Sequence, residues 1–339
     1  MDALAFISTP LSNMVSWGHS FMYRYFPELV SQGFDAAGDN PNLFDPESPE
    51  RLLLLDAGVD RMAKYIRNNK FDLIICPHIF SSVMVADAEN RFALGVPAAR
   101  VETDYMISPG ANKTGLDYHF QPTKELAEEW EQKGFFGKSV VSGIPVRDKF
   151  YKRKDSLAAK RELGLPEGSR HLLIMSGSMG AGPVPKIAGH IARYMDTDMQ
   201  LSVVCGNNKA MYNELMMSIP PADNVHIYGF CDNIPLLMDS AELLVTKPGG
   251  ISITEAAVKT LSMVLIDAVA GCEKPNLKYF VRNGYAITGD DPAEIAENCI
   301  QLLRDDQSRG EMAYALEHLA GINNKELIYE TMKKETSGR

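Results

Sequence analysis

The sequence contains no run of about 18 apolar residues and no charged-then-apolar leader, so no segment of it reads as a membrane-crossing helix or a signal peptide. It is short of positive charge. Its 34 Lys and Arg against 44 Asp and Glu leave a net −10, which argues against a general role in binding nucleic acid. The five cysteines, Cys76, Cys205, Cys231, Cys272 and Cys299, form no C-x-x-C pair. That excludes a disulfide framework or zinc ribbon and suits free thiols in a reducing cytoplasm. The Walker spacing G-x-x-x-x-G-K-[ST] is missing, and internal repeats and low-complexity tracts are missing too. No D-x-D triplet stands in a loop suited to a metal, so no metal dependence is expected. What is present is an ordinary globular composition, 45% hydrophobic and 23% charged, over 339 residues, enough for two domains.

The stretch from Glu242 to Asn276 organises the rest. Leu243-Leu244-Val245 is an apolar run with the length of a buried parallel strand. Thr246-Lys247-Pro248-Gly249-Gly250 interrupts it, and paired glycines let a ligand approach the backbone. Ser252 or Thr254 can cap the helix expected through Glu255 and Lys259. The free N–H groups and positive dipole end of that helix suit a phosphate over the glycines. A strand over 263–266 and a polar loop from Gly271 to Asn276 follow. This order is half of a nucleotide site in an open α/β sheet, although Gly-Gly also follows strands in βαβ units that bind nothing. A second glycine loop runs from Ser176 to Pro183 between the strand 171–175 and a helix expected over 184–196. The amides of Ser178, Met179 and Gly180 can cradle phosphate there. No acidic residue ends the next strand, 200–205, so this is not the dinucleotide fingerprint.

In the first half, apolar residues recur at helical spacing from Leu11 to Phe34 around Pro27, and Trp17, Phe21 and Phe26 crowd aromatic surface beside His19 and Arg24. The stretch reads either as two core helices or as an amphipathic surface resting in a lipid headgroup layer. His78 closes an expected strand over 71–76, at a position open to either a site role or a structural one. Asp104 follows a strand end at Val101, where a carboxylate shielded from water can serve as general base, or can simply cap a turn. Arg147, Lys149, Lys152, Arg153 and Lys154 form the densest basic run. It is either a solvated face or an attraction to anionic lipid, worth roughly 1 kcal/mol per basic residue near a charged surface.

Several of these motifs carry a resemblance. A strand, then [ST]-[KR]-[PS]-G-[GA], a helix with Glu, and a loop with Glu-x-x-Asn is similar to the donor-site pattern of GT-B glycosyltransferases. It resembles most closely the monogalactosyldiacylglycerol synthase and processive diacylglycerol glucosyltransferase family, with the lipid I N-acetylglucosaminyltransferase as a more distant relative. Gly143-Ile144-Pro145-Val146-Arg147 resembles the family's crossing point between domains, Gly206-Asn207 its turn after the second donor-domain strand, and Thr103-Asp104-Tyr105 its Thr-Asp-[FY]. Ser108 stands where the family has a His. The family's N-terminal strand and Gly-x-Gly-His-type loop, with its candidate catalytic His, are expected ahead of the aromatic stretch and are not found in this sequence.

The resemblance implies an α/β fold of two Rossmann-like domains facing across a cleft, the first lacking its opening strand. The expected boundaries are 1–147 for an acceptor and membrane-facing domain, 148–325 for a UDP-sugar-binding domain, and 326–339 for a closing helix and tail. It implies transfer of a hexose from a UDP-sugar to a lipid acceptor such as diacylglycerol. The chain would sit peripherally on the inner face of the cell membrane, with the UDP-sugar as co-substrate and no other cofactor. Arg147 would reach the pyrophosphate, Gly206 and Asn207 would line the donor site, and Phe230 would border the uracil. Lys247, Pro248, Gly249, Gly250 and Ser252 would surround the phosphates, Glu255 would accept from the ribose hydroxyls, and Glu273 and Asn276 would hold the sugar. A non-catalytic UDP-sugar-binding protein, or a UDP-sugar epimerase or lipid-linked N-acetylglucosamine transferase of the same fold, is the competing expectation.

Overall fold

The computed structural model describes residues 2–7, 45, 56–175, 182–266 and 273–337. Its chain divides into two compact units, with the change at Pro145/Val146 and a return to the first unit at Ile322. Each is built on one all-parallel sheet.

In the first unit, α1 (Asp56–Asn69), β1 (Ile74–Cys76), α2 (Ile79–Phe92), β2 (Ala98–Val101), β3 (Tyr118–Gln121), α3 (Lys124–Gln132) and β4 (Lys138–Val141) follow in order, with a single 3-10 turn at Ala111–Lys113 between β2 and β3. The strands lie in the order β1-β2-β3-β4. Strand-to-strand connections through helices leave parallel strands buried on both faces, and β2 and β3 are buried at every position. His78 proves to be the N-cap of α2, accepting from the Phe80 N–H at 3.3 Å, which is the structural one of its two readings. Thr123 caps α3 in the same way, through Leu126.

The second unit begins with the short α4 (Asp148–Tyr151) and α5 (Ser156–Leu163). Asp155 caps α5 at one end, and Gly164, at φ 72°, closes it at the other. Then come β5 (Arg170–Met175), α6 (Val184–Tyr194), β6 (Met199–Val204), α7 (Lys209–Ser218), β7 (Val225–Tyr228), α8 (Ile234–Ser240), β8 (Leu243–Thr246), α9 (Gly250–Val258), β9 (Ser262–Leu265), α10 (Glu273–Arg282), α11 (Pro292–Arg304) and α12 (Asp306–Ile322). Beyond β9, Ile287 makes an isolated parallel bridge to Val264.

The strand order of this sheet is β7-β6-β5-β8-β9. It runs outward from β5 in one direction and outward from β8 in the other, so the topological switch lies between those two strands. In open α/β sheets ligands bind outside the carboxyl ends of strands at such a point. The last helix, α13 (Lys325–Ser337), belongs to the first unit, where Ile328 and Met332 pack with Ala99, Val101, Tyr118 and Phe120.

Candidate functional site

Met175 and Thr246 are paired neighbours at the carboxyl ends of β5 and β8. These are the strand ends after which the sequence carries its two glycine-rich segments. The first, with Ser178, Met179 and Gly180, lies outside the described residues, as do Trp17, Phe21 and Phe26. Its exit is described: Gly182 has φ 109°, and a Cβ there would lie 3.4 Å from Lys247 Cε. Gly182 therefore lies beside the side chain that leads the turn after β8.

That second turn feeds α9 through Gly249 as N-cap, at φ −71° and ψ 126°, with no side-chain hydrogen bond to the cap. The sequence expectation of a Ser252 or Thr254 cap fails here. Thr254 instead donates its hydroxyl to the Gly250 carbonyl at 2.6 Å, inside the helix, and the half-buried Ser252 lies within the first turn. A first helical turn without a side-chain cap presents N–H groups and the positive dipole end outward. An added Cβ at Gly249 would meet open space, so a ligand can approach this backbone.

Asn276 shapes the turn from behind. It is fully buried, and its Nδ2 donates to the Pro248 carbonyl at 2.9 Å. The polar loop expected to extend to Asn276 ends earlier. Glu273 begins α10, Pro275 lies in the first turn where a missing N–H costs nothing, and Asn276 follows it. Glu273 is half-buried at the start of that helix.

Glu255 lies one helical turn and a half along α9, only 6% exposed. Burial pushes its carboxyl above the usual carboxylate range, opposed by the guanidinium of Arg147 3.3 Å away. The side chain of Arg147 is 66% exposed on the other side of this pair. Arg147, expected from the sequence to reach a pyrophosphate, is placed by the structure on Glu255. Sequence reading missed this pairing because 108 residues separate the two. At the ends of the flanking strands, Gly206 adopts φ 56°, Asn207 is exposed, and Phe230 presents a 68% exposed ring. The carboxyl edge of this sheet thus combines backbone donors, a buried carboxylate, an Arg and an exposed aromatic ring, a set suited to a phosphorylated nucleoside. Among the described residues no group of three or more His, Cys, Asp and Glu comes together as a metal site.

The first unit treats its strand ends differently. Arg100 and Glu102, both buried, face each other as two parallel hydrogen bonds, Nε to Oε1 at 2.6 Å and Nη2 to Oε2 at 2.9 Å. Ser108, standing where the related family has a His, accepts from Arg100 Nη2 at 2.8 Å and donates to Glu102 Oε2 at 2.8 Å. Ser82 accepts from the remaining guanidinium nitrogen at 3.1 Å. Burial pushes the neighbouring Cys76 thiol up to about 11, outweighing the opposing pull of Ser81, Arg100 and Ser82. Asp104 is half-buried on the loop just beyond, with Thr103 Oγ1 3.5 Å from its Oδ2. The sequence did carry a signal for this network. Arg100 and Glu102 stand two apart at a strand end and so share one face.

Comparison with known proteins agrees with this architecture. Residues 6–146 match the family model "Monogalactosyldiacylglycerol (MGDG) synthase", and residues 186–318 match "Glycosyl transferases group 1". The chain is 27% identical over 282 residues to a processive diacylglycerol beta-glucosyltransferase of Bacillus subtilis (strain 168), covering 82% of this chain and 73% of that one. In fold it is similar to MurG of Acinetobacter baumannii, with TM-score 0.62 at 16% identity over 85% of this chain and 81% of that one. It is also similar to the UDP-GlcNAc 2-epimerase of Neisseria meningitidis bound to UDP-GlcNAc, with TM-score 0.61 at 16% identity over 88% and 84%.

The fold is of the GT-B kind, and in each unit the chain is similar to glycosyltransferases. Within it, the resemblance read from the motifs holds in both halves of the chain: its similarity is to the monogalactosyldiacylglycerol synthase and processive diacylglycerol glucosyltransferase family.

Proposed function

We propose that this chain transfers a hexose from a UDP-sugar to a lipid acceptor such as diacylglycerol, working peripherally on the cytoplasmic face of the cell membrane. The observation that carries the donor half of this reading is the pairing of Met175 with Thr246, the strand ends from which two glycine-rich segments start at the switch of the second sheet. The similarity to diacylglycerol glucosyltransferases supports the acceptor half. No helix among the described residues is long and apolar enough to cross a membrane, so the lipid is reached from the surface in this reading.

In the proposed mechanism, the N–H groups of the first turn of α9 and of the loop after β5 stabilise the charge that grows on the departing UDP, and no cofactor is required. Lys247 adds positive charge beside them. Glu255 accepts from the ribose hydroxyls while Arg147 keeps it oriented, a charged acceptor suiting a diol. Phe230 and the Gly206-Asn207 turn border the base, and Glu273 faces the sugar, with Asn276 holding the glycine turn in shape. Asp104, in the first unit, is the proposed base that takes the proton of the acceptor hydroxyl. Trp17, Phe21 and Phe26 are the proposed membrane contacts.

The test is to supply UDP-glucose or UDP-galactose with diacylglycerol in vesicles and follow UDP release and glycolipid together. UDP release matched by a glycolipid product is expected. Nucleotide binding without product would leave a UDP-sugar-binding protein in place of a transferase.

A further inference from the structure

The second sheet has another feature at its opposite, amino-terminal edge. A cavity of about 330 Å³ opens there, where the chain enters β8 and β9 and passes α12. Its wall carries the cations Arg153, Lys154, Lys259 and Arg309 and the carboxylates Asp239 and Glu242. Both carboxylates are already engaged, Asp239 by Lys259 at 2.7 Å and Glu242 by Lys160 at 2.6 Å. Lys154 pairs with Glu162, and Arg309 pairs with Asp306.

Arg153 is the exception. It donates from Nη1 to Thr260 Oγ1 at 3.1 Å and from Nη2 to the Val258 carbonyl at 2.7 Å, both neutral acceptors. Among the described residues it has no carboxylate partner. Ser156 lines the same cavity, and its Oγ is buried without a hydrogen-bond partner. A buried hydroxyl left unpaired costs free energy that a ligand atom can recover. A guanidinium anchored by two bonds and facing no counter-charge is in turn pre-organised for an anion. In a chain of net charge −10, this concentration of cations around one hollow stands apart from the general surface.

We propose that this cavity binds a phosphate-bearing anion, held by Arg153 and Ser156 and separate from the site at the carboxyl ends of the strands. Lys154 and Arg309 supply the surrounding positive field. The site depends on none of the residues assigned to the donor, so it stands or falls independently of the transferase reading.

Calorimetric titration of inorganic phosphate into the full chain tests it, with Arg153→Gln, Arg153→Lys, Ser156→Ala and Gly249→Asp as variants. Millimolar or tighter binding is expected in the unaltered chain and in Gly249→Asp, about tenfold weaker binding in Arg153→Gln, and partial retention in Arg153→Lys. Should Arg153→Gln fail to fold, Ser156→Ala and Lys154→Gln are each expected to weaken binding measurably. Absence of phosphate binding, equal binding in all the cavity variants, or its loss in Gly249→Asp alone overturns the proposal. Once phosphate binding is established, sedimentation with phosphatidylglycerol–phosphatidylcholine vesicles separates the two sources of such a group. Dependence on Arg153 points to a lipid headgroup and independence to a soluble phosphate compound, and both retain the site.

Discussion

The two sheets share an all-parallel construction yet finish differently at their carboxyl edges. In the first unit, the buried Arg100, Glu102 and Ser82 and the half-buried Ser108 satisfy one another in a closed set. In the second, α9 begins at Gly249 with no capping side chain, and Glu255 is buried against an exposed Arg147. One edge has spent its polar groups internally, and the other holds them outward. The same topology therefore offers a potential nucleotide position at both edges, and the side chains decide which one remains available.

The largest effect expected from testing this contrast is on stability. Glu102→Gln leaves Arg100 buried without a counter-charge, and removing one partner of such a pair costs about 3–5 kcal/mol. Urea unfolding should show that loss, with UDP affinity of the remaining folded protein unchanged. If stability is untouched, the first edge is not closed in the sense argued above.

Gly249→Asp should do the reverse. Gly249 sits at an N-cap with extended backbone and free space for a side chain. An Asp there caps α9, and because Gly is itself a tolerated N-cap the gain is about a few tenths of a kcal/mol of stability. It also places a negative charge where phosphate is proposed to lie, so UDP affinity should fall about 100-fold or more by calorimetry, roughly 2.7 kcal/mol. A more stable protein that still binds UDP normally would remove the phosphate from this turn.

The smallest effect is expected at Glu255. Because its carboxyl is raised by burial, the folded state holds the proton more tightly than the unfolded chain does. Its contribution to stability is complete below the ordinary carboxylate range and is lost as pH rises through the raised value. Glu255→Gln should therefore match the parent protein in thermal stability near pH 4 and exceed it modestly at pH 7, while binding UDP about tenfold more weakly. Equal melting temperatures at both pH values would contradict the sign of this shift.

What could be read before the fold was known follows a physical pattern. Leu243-Leu244-Val245 announced β8 because strands covered on both faces must be continuously apolar, and the glycines after it announced the turn. The cap of α9 was misassigned because Ser252 and Thr254 are good capping residues, whereas this helix begins two residues before Ser252 with only a backbone turn to start it. Asn276 read as a loop residue because Pro275 suggests a break. A proline in a first turn starts a helix as readily as it ends one, and only the fold shows which. The pairings Arg147 with Glu255 and Arg153 with Val258 join residues more than a hundred positions apart, and no local pattern encodes them.

The position of α13 bears on how the protein is made. Ile328 and Met332 complete an apolar layer over strands that left the ribosome some two hundred residues earlier. A nascent chain ending anywhere before that helix exposes Ala99, Val101, Tyr118 and Phe120, so the intervening unit can close while the first still lacks its lid. Synthesis must pass that helix before the amino-terminal half is safe from sticking to its neighbours.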